Sequence, residues 1–269
     1  MAAVVIQTGF SPARPLTHAR IGHATITRTG SLEASGEEAG FEADAALNPL
    51  TYEFWRPDAL PATWRIDASS AVSVDYVGIA AHTLGFDEAT VKPQWSDDNS
   101  AWNDVTDLSA HSPTDDGPIL FLFAAESHRY WRIHVSGTGI PSIGVIFIGA
   151  ALAMPRPIYG GHSPLDLSRT TVIRPQRSER GQFLGRSIVR SGFTADYAWQ
   201  HLTPAFYRDE FDVFVEDARR FPFFLAWRPS TFPESVGYVW TGQDISPSNM
   251  GIGKGLMSVS LSVEGLGVD

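Results

Sequence analysis

Eight histidines, three pairs of identical adjacent carboxylates and one glycine-rich lysine segment are parts of this 269-residue chain whose types and spacing bear on chemistry. The pairs are Glu37-Glu38, Asp97-Asp98 and Asp115-Asp116. Acid–base cleavage of a glycosidic bond needs two carboxyl groups facing one bond, about 5–10 Å apart. Neighbours on an extended chain point to opposite faces, so these pairs read as solvated turn residues. Asp115-Asp116-Gly117 lacks the alternating Asp ladder of a calcium loop. No His-x3-His or His-Glu-x2-His spacing occurs for zinc, and His128 and His134 read as structural or solvent-facing. There is no Gly-x-Ser-x-Gly elbow for a serine nucleophile. In Gly251-Ile252-Gly253-Lys254-Gly255 a glycine follows the lysine where a phosphate loop needs Ser or Thr, so the segment reads as a flexible turn. With no cysteine, thiolate metal sites, disulfides and a cysteine nucleophile are excluded. The chain is therefore predicted not to be an enzyme, with no catalytic, metal-binding or cofactor-binding residue.

The eight tryptophans mostly sit at alternating positions that fill a core. Trp55 is the exception, placed beside Arg56-Pro57 in a loop, and Trp55 with Arg56 forms the candidate glycan contact. Charge divides the chain. Residues 1–155 hold 8 basic and 18 acidic side chains, whereas residues 156–269 hold 12 of each, with Lys254 the one lysine among eleven arginines. Arginine and aromatics are enriched at protein interfaces, and a charge-neutral surface does not repel its own copies. Arg219, Arg220 and Phe221 are the candidate oligomer interface. The overall charge of −10 argues against nucleic acid as a partner. The longest apolar run, 143–154, is broken by Gly144 and Gly149 and is too short to enter a bilayer. The first residues lack a basic n-region, so a cytoplasmically made protein is expected.

The elements that would position these residues are mainly β. Residues 1–44 read as an N-terminal arm or loop, acidic and poor in hydrophobics after Gly30. From residue 45 the pattern is period two: Trp64 and Ile66, then Val72, Val74 and Tyr76, then Trp131, Ile133 and Val135, each alternating with polar residues. Asp- and Pro-rich turn clusters separate them, which argues a β-sandwich at 45–152 that folds alone, with Trp64, Trp95 and Trp131 in or near its core. A second, α+β unit is expected over 153–269. Thr203-Pro204 is a helix start, and Tyr207, Phe211, Phe214, Val215 and Ala218 form one apolar face of a helix over 204–220. Strands are expected at 223–227, near 238–240, and over 257–263, where Met257, Val259, Leu261 and Val263 alternate with serines and Glu264 follows.

Three segments in order carry a resemblance: Ala62-Thr63-Trp64-Arg65-Ile66-Asp67, Gln94-Trp95-Ser96-Asp97-Asp98-Asn99-Ser100-Ala101-Trp102, and Arg129-Tyr130-Trp131-Arg132-Ile133, closed by Ile146-Phe147-Ile148-Gly149. Residues 45–152 thus resemble discoidin-like (galactose-binding-like) domains. That resemblance implies a jelly-roll β-sandwich, often a carbohydrate or lipid adhesion module. Ala68-Ser69 stands where those domains carry Leu-Gly, and Asn99 where they carry Gly. Residues 155–269 are similar to the C-terminal portion of tail-tip proteins of long-tailed (siphovirus-like) bacteriophages, through Trp199, Leu202, the helix, the Phe221–Trp227 run and the closing Ser-alternating strand to Gly267. This implies a virion structural protein whose partners are copies of itself in a ring, other phage tail proteins and host-surface carbohydrate. The expected role is a tail-tip subunit that oligomerises through 153–269 and displays the sandwich outward. The alternative is a free, lectin-like carbohydrate-binding protein or accessory module.

Overall fold

The computed structural model describes residues 2–251, 253 and 255–266. Its strands in chain order are β1 (Ala3–Ile6), β2 (Arg20–Gly22), β3 (Ser31–Ala34), β4 (Ala62–His82), β5 (Ala89–Ser96), β6 (Asn103–Asp104), β7 (Ile119–Gly137), β8 (Ile143–Gly149) and β9 (Leu152–Ala153). There follow β10 (Thr170–Arg177), β11 (Phe183–Leu202), β12 (Phe223–Ala226), β13 (Val236–Trp240), β14 (Pro247–Asn249) and β15 (Met257–Leu266). The protein is mainly β, as its alternating sequence predicts.

Two long strands build the first unit by bending. The first half of β4 pairs with β3 and with the second half of β7, which continues to β5 and β6. The second half of β4 pairs with β8 and with the first half of β7, whose other side takes β1 in parallel. One sheet becomes two layers at the bend, where β4 breaks register between Asp67 and Val72. Between the layers lies a core that includes Trp64, Ile66, Val77, Ile79, Phe121, Trp131, Ile133 and Ile146, with Trp95 packed on its margin. The two departures from the discoidin pattern fall at special backbone positions. Ser69 has φ 67° and Asn99 has φ 60°, the left-handed region that glycine enters freely. Ser69 is held there by its N–H donating to Asp67 Oδ1. Asp98 Oδ1 accepts from the Ser100 and Ala101 N–H groups and so shapes the turn at Asn99.

The second sheet runs β10-β11-β15-β13-β12-β2-β9, with β14 on β15. Its inner face holds Tyr197, Trp199, Phe223, Leu225, Val259 and Leu261, and the helix lies on that face. Helix α1 spans residues 204–218 and carries a π turn at Tyr207–Phe211. Thr203 Oγ1 caps it by accepting from Phe206 N–H at 3.2 Å, and Pro204 opens the first turn. Tyr207, Phe211, Phe214, Val215 and Ala218 are all buried, which is the face the spacing predicts.

Residues 1–44 are not a loose arm. They supply β1, β2 and β3, and β2 sits between β12 and β9, inside the sheet of the second unit. Strands of three or four residues are too short to show a period, so this segment was open to misreading as loop. The same segment grips the helix. Arg14 pairs both guanidinium N–H groups with Glu210 at 2.5 and 2.6 Å, and His23 Nδ1 lies 2.7 Å from Asp217.

The two units meet along a second apolar layer: Tyr76, Ala80, Leu120, Leu122 and Phe147 of the first against Phe224, Ala226, Val236 and Tyr238 of the second, with Val4. The half of β4 and β7 that forms this layer, and all of β8, is buried on both sides, which explains the unbroken apolar runs at 77–81 and 145–148. Close approach is built in. A Cβ on Gly22 would meet the Tyr76 ring at 2.5 Å, and one on Gly78 would meet the Phe224 ring at 2.5 Å. A fragment of residues 45–152 would expose the sandwich side of this layer to water. Among the described residues no helix is long and apolar enough to cross a membrane.

Candidate assembly interface

The hairpin made by β10 and the first half of β11 stands out from the second sheet. Every residue of β10 is exposed, and so is nearly every β11 residue up to Arg190. Thr170 to Gly192 pair across the hairpin, with register shifts after Val172 and after Gln176. Directly opposed residues share a face. One face therefore carries Ile173 with Ile188, Pro175 with Arg186, and Arg177 with Phe183. Phe183 is 68% exposed and Ile188 63%. Soluble monomers rarely leave large apolar side chains clustered in water in this way. Arg169, Arg174, Arg177, Arg180, Arg186 and Arg190 lie on or beside the hairpin, with Glu179 its one acidic residue. None of these arginines has an ion-pair partner among the described residues. Sequence reasoning noted the arginine-rich second unit and missed the hairpin. The signal was there in Val172, Ile173, Ile188 and Val189, β-branched residues interleaved with arginine.

Arg219, Arg220 and Phe221, the interface expected from sequence, sit at the C-terminal end of α1. Arg219 is already paired with Glu216 at 3.2 Å and approaches Asp244 at 3.9 Å. The Phe221 ring is covered by the Arg28 guanidinium, 4.0 Å from its centroid, and Arg28 also reaches Asp217. Arg220 is exposed.

Trp55 and Arg56 do not form a sugar platform. Trp55 has no exposed surface, donates its indole N–H to Gly36 O and bridges to Ile143, so its ring offers no face to a ligand. Arg56 pairs with Glu38 at 3.2 Å. Trp55 lies outside the named strands, in a segment that folds its aromatic inward. His128 stacks on Trp95, with ring centroids 3.4 Å apart, and contacts Asp97, while Arg132 covers Trp102 at 4.0 Å. No cluster of potential metal ligands occurs among the described residues. Ile252, Lys254 and Gly267 lie outside the described residues, and with them part of the 251–255 turn expectation.

An aromatic cleft of about 310 Å³ opens where the two units join, lined by Phe54, Tyr238, Trp240, His82, Thr51 and Asp116. Phe54 and Trp240 are half-buried there. Tyr238 donates its hydroxyl to Pro49 O, and burial pushes its ionisation up. The buried His82 has a fixed tautomer. Nδ1 accepts from Leu84 N–H, so Nε2 carries the proton and donates to Gly117 O at 2.9 Å. Burial lowers its pKa to about 4.

An unfolded chain takes up a proton on this histidine near 6.5, but the folded protein does so only near 4. His82 thus contributes stability that is fully present above about pH 6.5 and is lost as pH falls toward 4, roughly 3 kcal/mol in all. Asp75, pushed up to about 6 by burial, acts in the opposite sense as it ionises. The comparison of wild type with His82→Gln isolates the histidine. Urea titrations at pH 7 and pH 4.5 are expected to show a smaller acid loss in the variant, and equal losses would refute the assignment.

No protein-family model matches the sequence, and no curated protein does. Solved structures do resemble part of the chain. Chitosan-binding module 1 from a chitosanase/glucanase of Paenibacillus sp. IK-5 aligns at 20% identity over 48% of this chain and 100% of that one, with TM-score 0.41. A CBM32 module from Clostridium perfringens, solved with GalNAc-β-1,3-galactose, aligns at 8% identity over 47% and 100%, with TM-score 0.40. A pectin-binding carbohydrate-binding module aligns at 18% identity over 46% and 93%, with TM-score 0.38.

Proposed function

We propose that this chain is a structural subunit that assembles with copies of itself through its second unit and carries the first as a rigidly attached, outward-facing β-sandwich. The observation that carries this reading is the hairpin of β10 and the first half of β11, exposed on both faces, with Ile173, Ile188 and Phe183 in water among arginines that have no ion-pair partner among the described residues. A surface of that composition is stable in water when another protein covers it. The tail tip of a long-tailed bacteriophage, in the virion and alongside other tail proteins, is the setting that the sequence resemblance of residues 155–269 favours. Native mass measurement on the full chain tests the assembly. A closed multimer is expected for wild type, and replacing residues 171–191 by a two-residue turn is expected to give monomers. A wild-type chain that stays monomeric at tens of micromolar in low salt would refute it.

A second reading concerns what the sandwich contacts, and the junction cleft favours it. Its volume lies in the range of small-ligand sites, and aromatic walls with a few polar groups suit a sugar ring. We place host-surface carbohydrate there rather than at Trp55. Trp240→Ala is expected to abolish binding on a glycan array, and undiminished binding would move the site elsewhere.

A further inference from the structure

The hairpin carries the charge that the rest of the chain lacks. With Arg169 beside it, it holds six of the 20 basic residues and one of the 30 acidic ones, leaving 14 basic and 29 acidic residues elsewhere. A molecule so divided is complementary to another copy of itself. The sheet order also separates two surfaces in space. The hairpin forms one edge, at β10, and β2 with β9 forms the other. Helix α1 is tied to that far edge, because Arg14 bonds both Ala153 O on β9 and Glu210 on the helix, while His23, next to β2, meets Asp217. The solvent side of α1 presents Asp209, Asp212, Val213 and Glu216, with Arg208 its one exposed cation before the last turn. Val213 is 57% exposed. Glu216 is engaged with Arg219, but Asp209 and Asp212 have no ion-pair partner among the described residues.

We infer that the hairpin of one copy docks on the outer side of α1 in the next, with Arg177 and Arg186 meeting Asp209 and Asp212, and Ile173, Ile188 and Phe183 covering Val213. This rests on the assembly reading above and names its partner surface. Donor and acceptor lie on opposite edges of one sheet, so the contact is head-to-tail. Such contacts close into a ring when the rotation per copy allows it and otherwise propagate as a filament. The arginine forks suit paired carboxylates, and the apolar residues on the same hairpin face supply burial.

Charge reversal on the full chain tests the pairing, with sedimentation velocity at about 50 mM and about 500 mM salt as the readout. Arg177→Glu with Arg186→Glu is expected to weaken assembly at least about tenfold at low salt, and Asp209→Lys with Asp212→Lys is expected to do the same. All four substitutions in one chain restore complementary charge and are expected to restore assembly. These residues are exposed, so thermal unfolding should be unchanged in every variant, which separates lost contact from lost fold. If the wild type assembles but the helix variant does so equally well, α1 is not the acceptor and the assembly reading stands. Failure of the four-fold variant to recover would likewise overturn the pairing. A wild-type monomer at both salts would remove the reading and the pairing together.

Discussion

A chain lacking residues 2–23 is expected to lose cooperative unfolding altogether, not to be shortened harmlessly at its end. The segment places β2 between β12 and β9 and β1 along β7, so its removal opens both sheets. Ala19 and Ile21 are fully buried in the core of the second unit, and Val4 lies in the layer between units. Arg14 and His23 go as well, leaving Glu210 on the helix without its partner and Asp217 with Arg28 alone, at 3.6 Å. Unpaired strand edges and exposed apolar surface promote aggregation. Circular dichroism melts with a dye-binding assay for exposed apolar surface check this. A truncated chain that melts cooperatively within a few degrees of the full one would show that the segment is dispensable. Gly78→Val probes the same layer without removing a strand. Its side chain would collide with the Phe224 ring, and overpacking of that kind costs about 1–3 kcal/mol.

Phe214→Ala is expected to destabilise the protein by about 3–5 kcal/mol. Phe214 is fully buried, and its ring meets Phe223 edge-on at 4.9 Å, Phe211 at 5.3 Å and His23 at 5.4 Å. Truncation removes contacts to the helix, the sheet and the N-terminal segment at once, so little can collapse into the space. Urea unfolding gives the difference directly. A loss below about 1 kcal/mol would mean that α1 is peripheral to the core.

What the sequence discloses here follows from where period and burial coincide. Trp64, Ile66, Trp131 and Ile133 alternate with polar residues because their half of the sandwich has one wet face. The Thr203 cap and the Tyr207–Ala218 face were legible because a helix buried on one side writes a 3.6-residue period. The Val77–Ala81 and Val145–Ile148 runs showed burial but not its direction, since both faces of those strands are covered. β2 was illegible because three residues carry no period and its partners come from far along the chain. The hairpin escaped notice for the converse reason: with both faces exposed, nothing forces its residues to alternate. Trp55 misled because a loop position says nothing about which way a side chain turns.

The seat of β2 between β12 and β9 also sets an order of events during synthesis. On the ribosome, residues 20–22 emerge early, while the strand that will hold them, Phe223–Ala226, is translated about two hundred residues later. At ordinary elongation rates, about 5–20 residues per second, the nascent chain waits on the order of ten seconds or more with Ile21 unsheltered. Through that interval the sandwich strands can pair with one another, but the layer facing the second unit has nothing to lie against. β2, made before every strand here but β1, is thus among the last to be seated, and emergence of the second sheet's late strands, not emergence of the sandwich, is the step at which the native fold can first exist.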